Sequence, residues 1–187
     1  MDILLRLEVA NKKESDRKEK ERANKRQLVC DRHIKVACDA LGIDFGNVMR
    51  LLGKKSGMYV DAQRGSGKTF AALALALSNA MRGNEAVLVF PLRVSANVIR
   101  EFAPRLLDSG LVEGTINTQT GFAVRGGGRV RIMQSTVICA MRGFSRDAAY
   151  VFDDAAPPRE LLERVDAGRI ICLHTSRKLE DEMCLGF

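Results

Sequence analysis

One segment of this chain, Ala62 to Thr69, has the residue types and spacing that bind the phosphates of a nucleotide. It has the sequence Ala-Gln-Arg-Gly-Ser-Gly-Lys-Thr. Glycines in such a segment let the backbone curl so that successive N–H groups point at phosphate oxygens. Lys68 then reaches the β- and γ-phosphates, and the Thr69 hydroxyl is placed for Mg²⁺. The segment therefore predicts a phosphate-binding loop (P-loop) for a nucleoside triphosphate and Mg²⁺.

The flanking residues have the pattern that such a loop requires. Apolar residues 58–60 precede it, and a helix-like run, 70–81, follows it. A strand would thus lead into the loop, and a helix N-terminus would add unpaired N–H groups and a partial positive charge. Ala62 stands where the stricter motif has glycine, which makes the pattern less specific. The alternative is a glycine-rich turn before a surface helix.

A pair of acids, Asp153 and Asp154, follows the apolar stretch 148–152. Because the carboxyl ends of parallel strands meet at one edge of a sheet, we expect this pair beside the phosphate loop. Asp153 would hold Mg²⁺, directly or through water, and Asp154 would orient or deprotonate an attacking water. The alternative is an acidic strand exit in which Asp153 caps the next turn.

Short apolar strands alternate with helical segments along the chain, with Gly42, Gly53 and Gly83 as helix stops. The predicted helices are 27–42, 45–52, 70–81, 94–107 (kinked or restarted at Pro104) and 159–165. The predicted strands are 57–61, 86–90, 148–152 and 169–173, with a β-like stretch at 115–134 that turns at Gly126–Gly128. This alternation predicts an α/β fold, mainly a parallel sheet with helices on both faces.

The chain has 187 residues and a formal charge of +7, which fits one domain preceded by an arm. We divide it into a charged, helical arm (1–26), a helical lead-in (27–56) and the P-loop core (57–187). Within the arm, residues 11–26 hold eight basic and four acidic side chains. Two interpretations stay open for the arm: contact with a polyanion such as nucleic acid, or a solvated helix with i, i+4 ion pairs.

Composition excludes several other classes of protein. No apolar run approaches the ~20 residues of a membrane span, and residues 1–7 do not resemble a secretory signal. The five cysteines are scattered and form no Cys-x-x-Cys pair. We therefore expect neither a zinc site nor a disulfide framework, and we expect an intracellular protein without membrane contact.

The stretch from Cys139 to Ala156 resembles the segment before the second nucleotide motif of large terminase subunits. Those subunits are the DNA-packaging motors of tailed phages and herpesviruses. The family pattern is an Arg-Gly pair, a few small or polar residues, an apolar strand and then Asp-Glu-Ala. This chain has Arg142-Gly143 and, after its apolar strand, Asp153-Asp154-Ala155.

Other pieces agree with the family in order. The strand-Pro-helix segment 87–102 resembles an element that terminases share with superfamily 2 helicases. The glycine hairpin before Gln134-Ser135 resembles the segment that leads up to the Arg-Gly pair. The exit His174-Thr175-Ser176 resembles the family's coupling motif. The resemblance covers about residues 57–176.

The resemblance implies a P-loop NTPase of the additional-strand (RecA/terminase-like) type that uses ATP and Mg²⁺. Metal ligands would be Thr69 and Asp153, and the catalytic groups would be Asp154, Lys68, Arg64 and Arg142. Nucleotide contacts would come from Thr175 and from Ala62, Gln63, Arg64, Gly65, Ser66, Gly67, Lys68 and Thr69.

Two of these roles have alternatives. Arg142 would be an arginine finger that reaches a neighbouring subunit's nucleotide, or else an ordinary strand-edge or salt-bridging arginine. The Thr175-Ser176 turn would sense the γ-phosphate, or else cap the end of a strand.

The implied function is the ATPase of a motor that moves double-stranded DNA into a capsid. DNA contacts would be made to backbone phosphates by the basic arm and by Arg125, Arg129 and Arg131. Implied partners are further copies in a ring, a portal, a small terminase subunit and a separate nuclease domain or chain. The place would be the infected cell, either cytoplasm for a phage or nucleus for a herpes-like virus, and transiently the procapsid.

The chain departs from the family in two respects. Asp154 stands where the family usually has glutamate, and these 187 residues have no room for the family's RNase H-like nuclease. The resemblance therefore implies an ATPase half that is encoded or spliced separately, or a fragment. Two other functions stay open: a superfamily 2 helicase or translocase fragment, and a non-hydrolysing ATP-binding assembly subunit. The missing second RecA-like lobe and the Asp-Asp pair weigh against the helicase, whereas the shorter carboxylate is compatible with the non-hydrolysing subunit.

Overall fold

A computed structural model describes residues 31–91, 95–141 and 143–175. The predicted N-terminal arm, Arg142 and Ser176 lie outside the described residues. The helices are α1 (Asp31–Leu41), α2 (Phe45–Leu52), α3 (Lys68–Ala80), α4 (Ser95–Asp108), α5 (Ser135–Cys139) and α6 (Arg159–Arg164). The strands are β1 (Lys55–Ser56), β2 (Tyr59–Asp61), β3 (Glu85–Phe90), β4 (Val112–Asn117), β5 (Gly121–Val124), β6 (Gly128–Gln134), β7 (Ala149–Asp153) and β8 (Ile170–His174).

The strands form one mixed sheet in the order β1-β2-β8-β7-β3-β6-β5-β4. The five strands from β2 to β6 in that order run parallel to their neighbours. Antiparallel pairs occur at the two ends, between β1 and β2 and through β6, β5 and β4. The predicted α/β fold with a mainly parallel sheet is confirmed at this level.

Alternate residues of the central strands face two separate apolar layers. On one face, α1 to α4 pack against Leu88 and Val151; on the other, α5 and α6 pack against Val89 and Phe152. The period of two along a strand produces this division. Helix α3 is buried along nearly its whole length, which explains why its sequence is apolar on all sides.

Two details of the structure go beyond the sequence prediction. The helix predicted to kink or restart at Pro104 does not restart, because α4 runs as one element from Ser95 to Asp108 with Pro104 inside it. Pro104 is exposed, while Phe102 and Leu106 on either side of it are buried in the core. Those contacts hold both turns in place and offset the hydrogen bond that proline cannot donate.

The stretch predicted as one hairpin contains three strands, because the chain also turns between β4 and β5. There the side chain of Asn117 accepts hydrogen bonds from the backbone N–H groups of Gln119 and Thr120. Such an Asx turn needs no glycine or proline, so it escaped the sequence prediction. The second turn, at Gly126–Gly128, joins β5 to β6 as predicted.

The first residue of β6 lies against the last turn of α3. A Cβ atom on Gly128 would come within 1.9 Å of the Ala80 carbonyl oxygen. Only glycine fits this contact, because any side chain would push the strand and the helix apart. The end of α3 and the start of β6 are thereby held in direct contact.

Candidate nucleotide-binding site

Three neighbouring parallel strands bring the predicted site residues to one edge of the sheet. Strand β8 lies between β2, which leads into the loop, and β7, which ends at Asp153. The N–H of Ala62 donates to the His174 carbonyl at 3.0 Å, and the N–H of Asp154 donates to the Leu173 carbonyl at 2.9 Å. The end of β8 therefore sets the spacing between the loop and the two acids.

The loop has the backbone that its glycines predict. Gly65 has φ of 78° and Gly67 has φ of 86°, and Gly67 is the N-cap of α3. Ala62, by contrast, is not among the described residues with positive φ, and it is 2% exposed within the core. The alanine at the first motif position is thus a packing residue, and its backbone does not call for glycine.

Lys68 is the first residue of α3, and its side chain is only 6% exposed. Its ammonium donates to the Gln63 carbonyl at 3.3 Å and lies 3.6 Å from a carboxylate oxygen of Asp154. A buried ammonium is costly unless oxygens surround it. The loop and Asp154 together supply those oxygens.

Thr69 and Asp153 meet across the site. The Thr69 hydroxyl donates to Asp153 Oδ2 at 2.6 Å. Asp153 is 2% exposed, and its Oδ1 atom is buried without a hydrogen-bond partner among the described residues. This set of hard oxygens, one of them buried with no partner, fits Mg²⁺.

Burial raises the pKa of Asp153 from 3.8 to about 6. The hydrogen bond from Thr69 lowers it, the charge of Asp154 raises it, and Lys68 lowers it. Desolvation is the largest of these effects because a carboxylate loses its hydration when it is buried. A cation at Asp153 would favour the ionised form.

Asp154 is the only non-glycine among the described residues with a positive φ, 47°. Thr175 follows β8 and holds its carboxylate. The Thr175 N–H donates to Oδ1 at 3.0 Å, and the Thr175 hydroxyl lies 3.1 Å from Oδ1 and 3.4 Å from Oδ2. Aspartate tolerates the left-handed region better than glutamate does. The backbone therefore explains the aspartate at this position.

The other predicted site residues are less engaged. Arg64 and Gln63 have exposed side chains, and the Ser66 hydroxyl is buried without a partner among the described residues. Arg142 lies outside the described residues. No group of three or more His, Cys, Asp or Glu side chains suited to a metal occurs in 31–91, 95–141 and 143–175. A cation bound at Thr69 and Asp153 would therefore need further oxygens from its substrate.

A cavity of about 230 Å³ opens beside the loop, between α2 and the start of α3. Its lining includes Asn47, Leu51, Ser66 and Phe70. The sequence prediction described α2 only as part of a helical lead-in and did not include this cavity. The cavity depends on how α2 packs against the loop, which no local pattern in the sequence encodes.

The three arginines predicted to contact DNA do not all lie together. Arg129 and Arg131 line one groove along β6, while the guanidinium of Arg125 lies near Gly110. Within the described part of the chain, no helix is both long and apolar enough to cross a membrane. Searches of protein-family models, curated proteins and solved structures found no match to this chain. The family resemblance therefore rests on the sequence motifs alone.

Proposed function

We propose that this protein binds and hydrolyses ATP with Mg²⁺ at the P-loop. The observation that carries the proposal is the hydrogen bond from Thr69 to Asp153, residues 84 positions apart. The alternative interpretation, a glycine-rich turn before a surface helix, does not predict a hydrogen bond to a buried carboxylate. Here the hydroxyl after the P-loop lysine meets the first acid of the Asp-Asp pair, as a shared Mg²⁺ site requires.

The order of the strands supports the same proposal. One strand, β8, separates the P-loop strand β2 from the acid-bearing strand β7. That insertion is the defining feature of the additional-strand type of P-loop NTPase, to which we assign the fold. In this arrangement the residue after the inserted strand, Thr175, lies beside Asp154 and is available to the reacting phosphate.

The residues of the site have distinct roles in the proposed reaction. The loop N–H groups and Lys68 bind the β- and γ-phosphates. To do so, the Lys68 ammonium exchanges its contact with Asp154 for a contact with the phosphates. Thr69 and Asp153 would hold Mg²⁺, which would neutralise charge on the phosphates. Asp154 accepts a proton from the attacking water, and Thr175 keeps its carboxylate in position.

The cavity beside the loop supplies a place for the nucleotide base. At about 230 Å³ it is open on one side and directly adjoins Ser66. Leu51 and Phe70 offer apolar contact to a planar ring, and the Asn47 amide offers polar contact to its edge. We assign this cavity to the adenine.

The resemblance to large terminase subunits extends the proposal to a DNA-packaging motor. In that function hydrolysis drives double-stranded DNA into a capsid, and subunits of a ring act on one another through Arg142. Portal, small terminase subunit and nuclease would be its partners in an infected cell. The motor function, the role of Arg142 and the partners rest on the sequence motifs. The geometry of the site supports the binding and hydrolysis of the nucleotide.

Phosphate release from ATP tests the proposed function. We expect Mg²⁺-dependent turnover, stimulated by DNA, that Lys68→Ala abolishes together with nucleotide binding. Lys54→Ala, which removes an exposed lysine outside the loop, is the matched control and should leave turnover unchanged. Equal turnover in wild type and Lys68→Ala would contradict the proposal. Tight ATP binding without turnover, with or without DNA, would favour the non-hydrolysing subunit instead.

A further inference from the structure

A groove of about 760 Å³ runs along β6, on the far side of β3 from the two acids. We call it the β6 groove. Its lining includes Arg129, Arg131 and Gln134 of β6, the turn Thr118–Thr120 and Glu85 of β3. The side chain of Arg129 is exposed and that of Arg131 is partly exposed. The described helices therefore leave this part of the sheet open.

The polar side chains of the β6 groove are of the types that contact phosphates. Arginine, threonine and glutamine are among the side chains that contact the phosphates and sugars of a nucleic-acid backbone. Arg129 and Arg131 lie on the same face of β6, about 6.6 Å apart along the strand. That separation lets each guanidinium contact a different phosphate.

The charges in the β6 groove are unequal. Arg131 Nη1 lies 3.2 Å from Glu85 Oε1. No acid lies within ion-pair distance of Arg129 in the described residues. One arginine is therefore oriented by an acid, and the other is available to an anion.

We propose that the β6 groove binds the phosphate backbone of double-stranded DNA. Charge complementarity favours a polyanion, and the lining contains no aromatic side chain on which the bases of a single strand would stack. Binding is then independent of base sequence and falls with salt. The β6 groove would be the surface that contacts DNA in the proposed motor. This inference rests on the part of the proposed function that makes DNA the partner.

Substitutions in the groove have opposite expected effects. Arg129→Ala removes one phosphate contact, weakens binding, and reduces the slope of log K against log salt by about 1. Glu85→Gln removes the acid that competes for Arg131, so it strengthens binding. Arg100→Ala is the matched control, because Arg100 is exposed on α4, which packs on the opposite face of the sheet.

Fluorescence anisotropy with labelled duplex DNA, over a series of NaCl concentrations, measures these effects on the full chain. An unlabelled single strand of the same sequence and a polyglutamate peptide serve as competitors. The proposal is supported if Arg129→Ala weakens, Glu85→Gln strengthens and Arg100→Ala leaves duplex binding unchanged. Equal losses in Arg129→Ala and Arg100→Ala would overturn it, as would stronger competition from polyglutamate or the single strand.

Binding of a fluorescent ATP analogue, measured on the same variants, separates this proposal from the nucleotide site. Analogue binding should be unchanged in Arg129→Ala and Glu85→Gln. If duplex binding does not respond to the groove variants while analogue binding persists, the groove assignment is wrong and the ATPase proposal stands. If the wild type binds duplex DNA as expected but no analogue, the nucleotide proposal is wrong.

Discussion

Thr175 donates two hydrogen bonds to Asp154, one from its backbone N–H at 3.0 Å and one from its hydroxyl at 3.1 Å. The residue after β8 thereby holds the residue after β7. The Lys68 ammonium lies 3.6 Å from Oδ2 of the same carboxylate. Asp154 thus contacts both Thr175 and Lys68, and under the proposed function phosphates in the loop would compete with Asp154 for Lys68.

Asp154→Asn should separate nucleotide binding from hydrolysis. Asparagine tolerates the positive φ of this position, so the backbone is kept while the proton acceptor is lost. We expect turnover to fall ~10²- to 10⁴-fold, the usual contribution of a general base. Nucleotide affinity should rise, because a negative charge near the phosphates is removed and Lys68 is released. Phosphate release and analogue titration measure the two effects.

Asp154→Glu is the informative companion variant. Although it restores the residue typical of terminases, glutamate is disfavoured at φ of 47°, and its longer chain displaces the carboxylate from Thr175. We expect turnover below that of the wild type. A glutamate variant faster than the wild type would show that the aspartate geometry is not what the site requires.

Thr175→Val should affect turnover more than substrate binding. It removes the hydroxyl that holds Asp154 and keeps both the backbone N–H and the side-chain shape. A hydrogen bond to a charged group contributes about 1.5–3 kcal/mol, so we expect kcat to fall roughly 10- to 100-fold with little change in KM. Thr175→Ser keeps the hydroxyl and should retain most of the activity. Equal losses in the two variants would point to a merely structural role.

The raised pKa of Asp153 predicts how Mg²⁺ use depends on pH. Because its pKa is about 6 in the folded chain against 3.8 ordinarily, Asp153 binds a proton between those values that the unfolded chain has released. This extra proton in the folded chain raises the free energy of unfolding at low pH, and the contribution is lost as pH rises through about 6. Mg²⁺ needs the ionised carboxylate, so its affinity should fall ~10-fold for each pH unit below about 6.

Titration of Mg²⁺ in the presence of a fluorescent ATP analogue, at pH 5 and pH 7, measures this dependence. Asp153→Asn has no titrating group at the position and should keep only the pH dependence of the analogue's own phosphates, and it should lose most of the Mg²⁺ requirement. A Mg²⁺ affinity in the wild type that is the same at both pH values would contradict the assignment of Asp153 as a metal ligand.

Two loop variants compare a glycine that the stricter motif would have, at position 62, with a glycine that the backbone requires, at position 67. Ala62→Gly would match the stricter motif, but Ala62 is buried with an ordinary backbone. We expect about 0.5–1 kcal/mol lower stability and no gain in nucleotide affinity. Gly67→Ala places a Cβ at φ of 86° and should destabilise the loop by about 1–2 kcal/mol and weaken nucleotide binding. Urea unfolding and analogue titration distinguish the two variants.

Asn47→Trp should fill the cavity beside the loop. Asn47 is exposed on α2, so the larger side chain enters the cavity without displacing the core. ATP binding should weaken, while binding of inorganic tripolyphosphate, which has no base, should be unchanged. Asn47→Ala controls for loss of the amide alone. Equal weakening of both ligands by Asn47→Trp would mean that the base lies elsewhere.

Much of the site could be predicted from sequence because its parts are local. Glycines at 65 and 67 specify backbone conformations, and an apolar run followed by two acids specifies a strand end. Convergence of the loop and Asp153 then follows from the general geometry of a parallel sheet. The same reasoning gave the helices α1 to α3 close to their observed bounds.

The remaining features depend on contacts between distant segments. The apolar pattern of residues 170–174 does not by itself indicate that β8 lies between β2 and β7, an order that only the family resemblance implied, or that Thr175 reaches Asp154. Those neighbours set the backbone conformation of Asp154. Comparison of the sequence with the family pattern therefore shows only that aspartate replaces glutamate, and it does not show the positive φ. The cavity beside α2 and the turn at Asn117 likewise arise from packing and from a side-chain hydrogen bond, which hydrophobic periodicity does not report.

The contact between Gly128 and the Ala80 carbonyl gives α3 a second role. Its 13 residues span about 20 Å, with Lys68 at one end and the start of β6 at the other. The phosphate loop therefore continues into one end of a buried helix, and the first residue of the strand that carries Arg129 packs against the other end. Under the two proposals, a single helix contacts both the loop that binds the nucleotide and the strand that lines the DNA-binding groove.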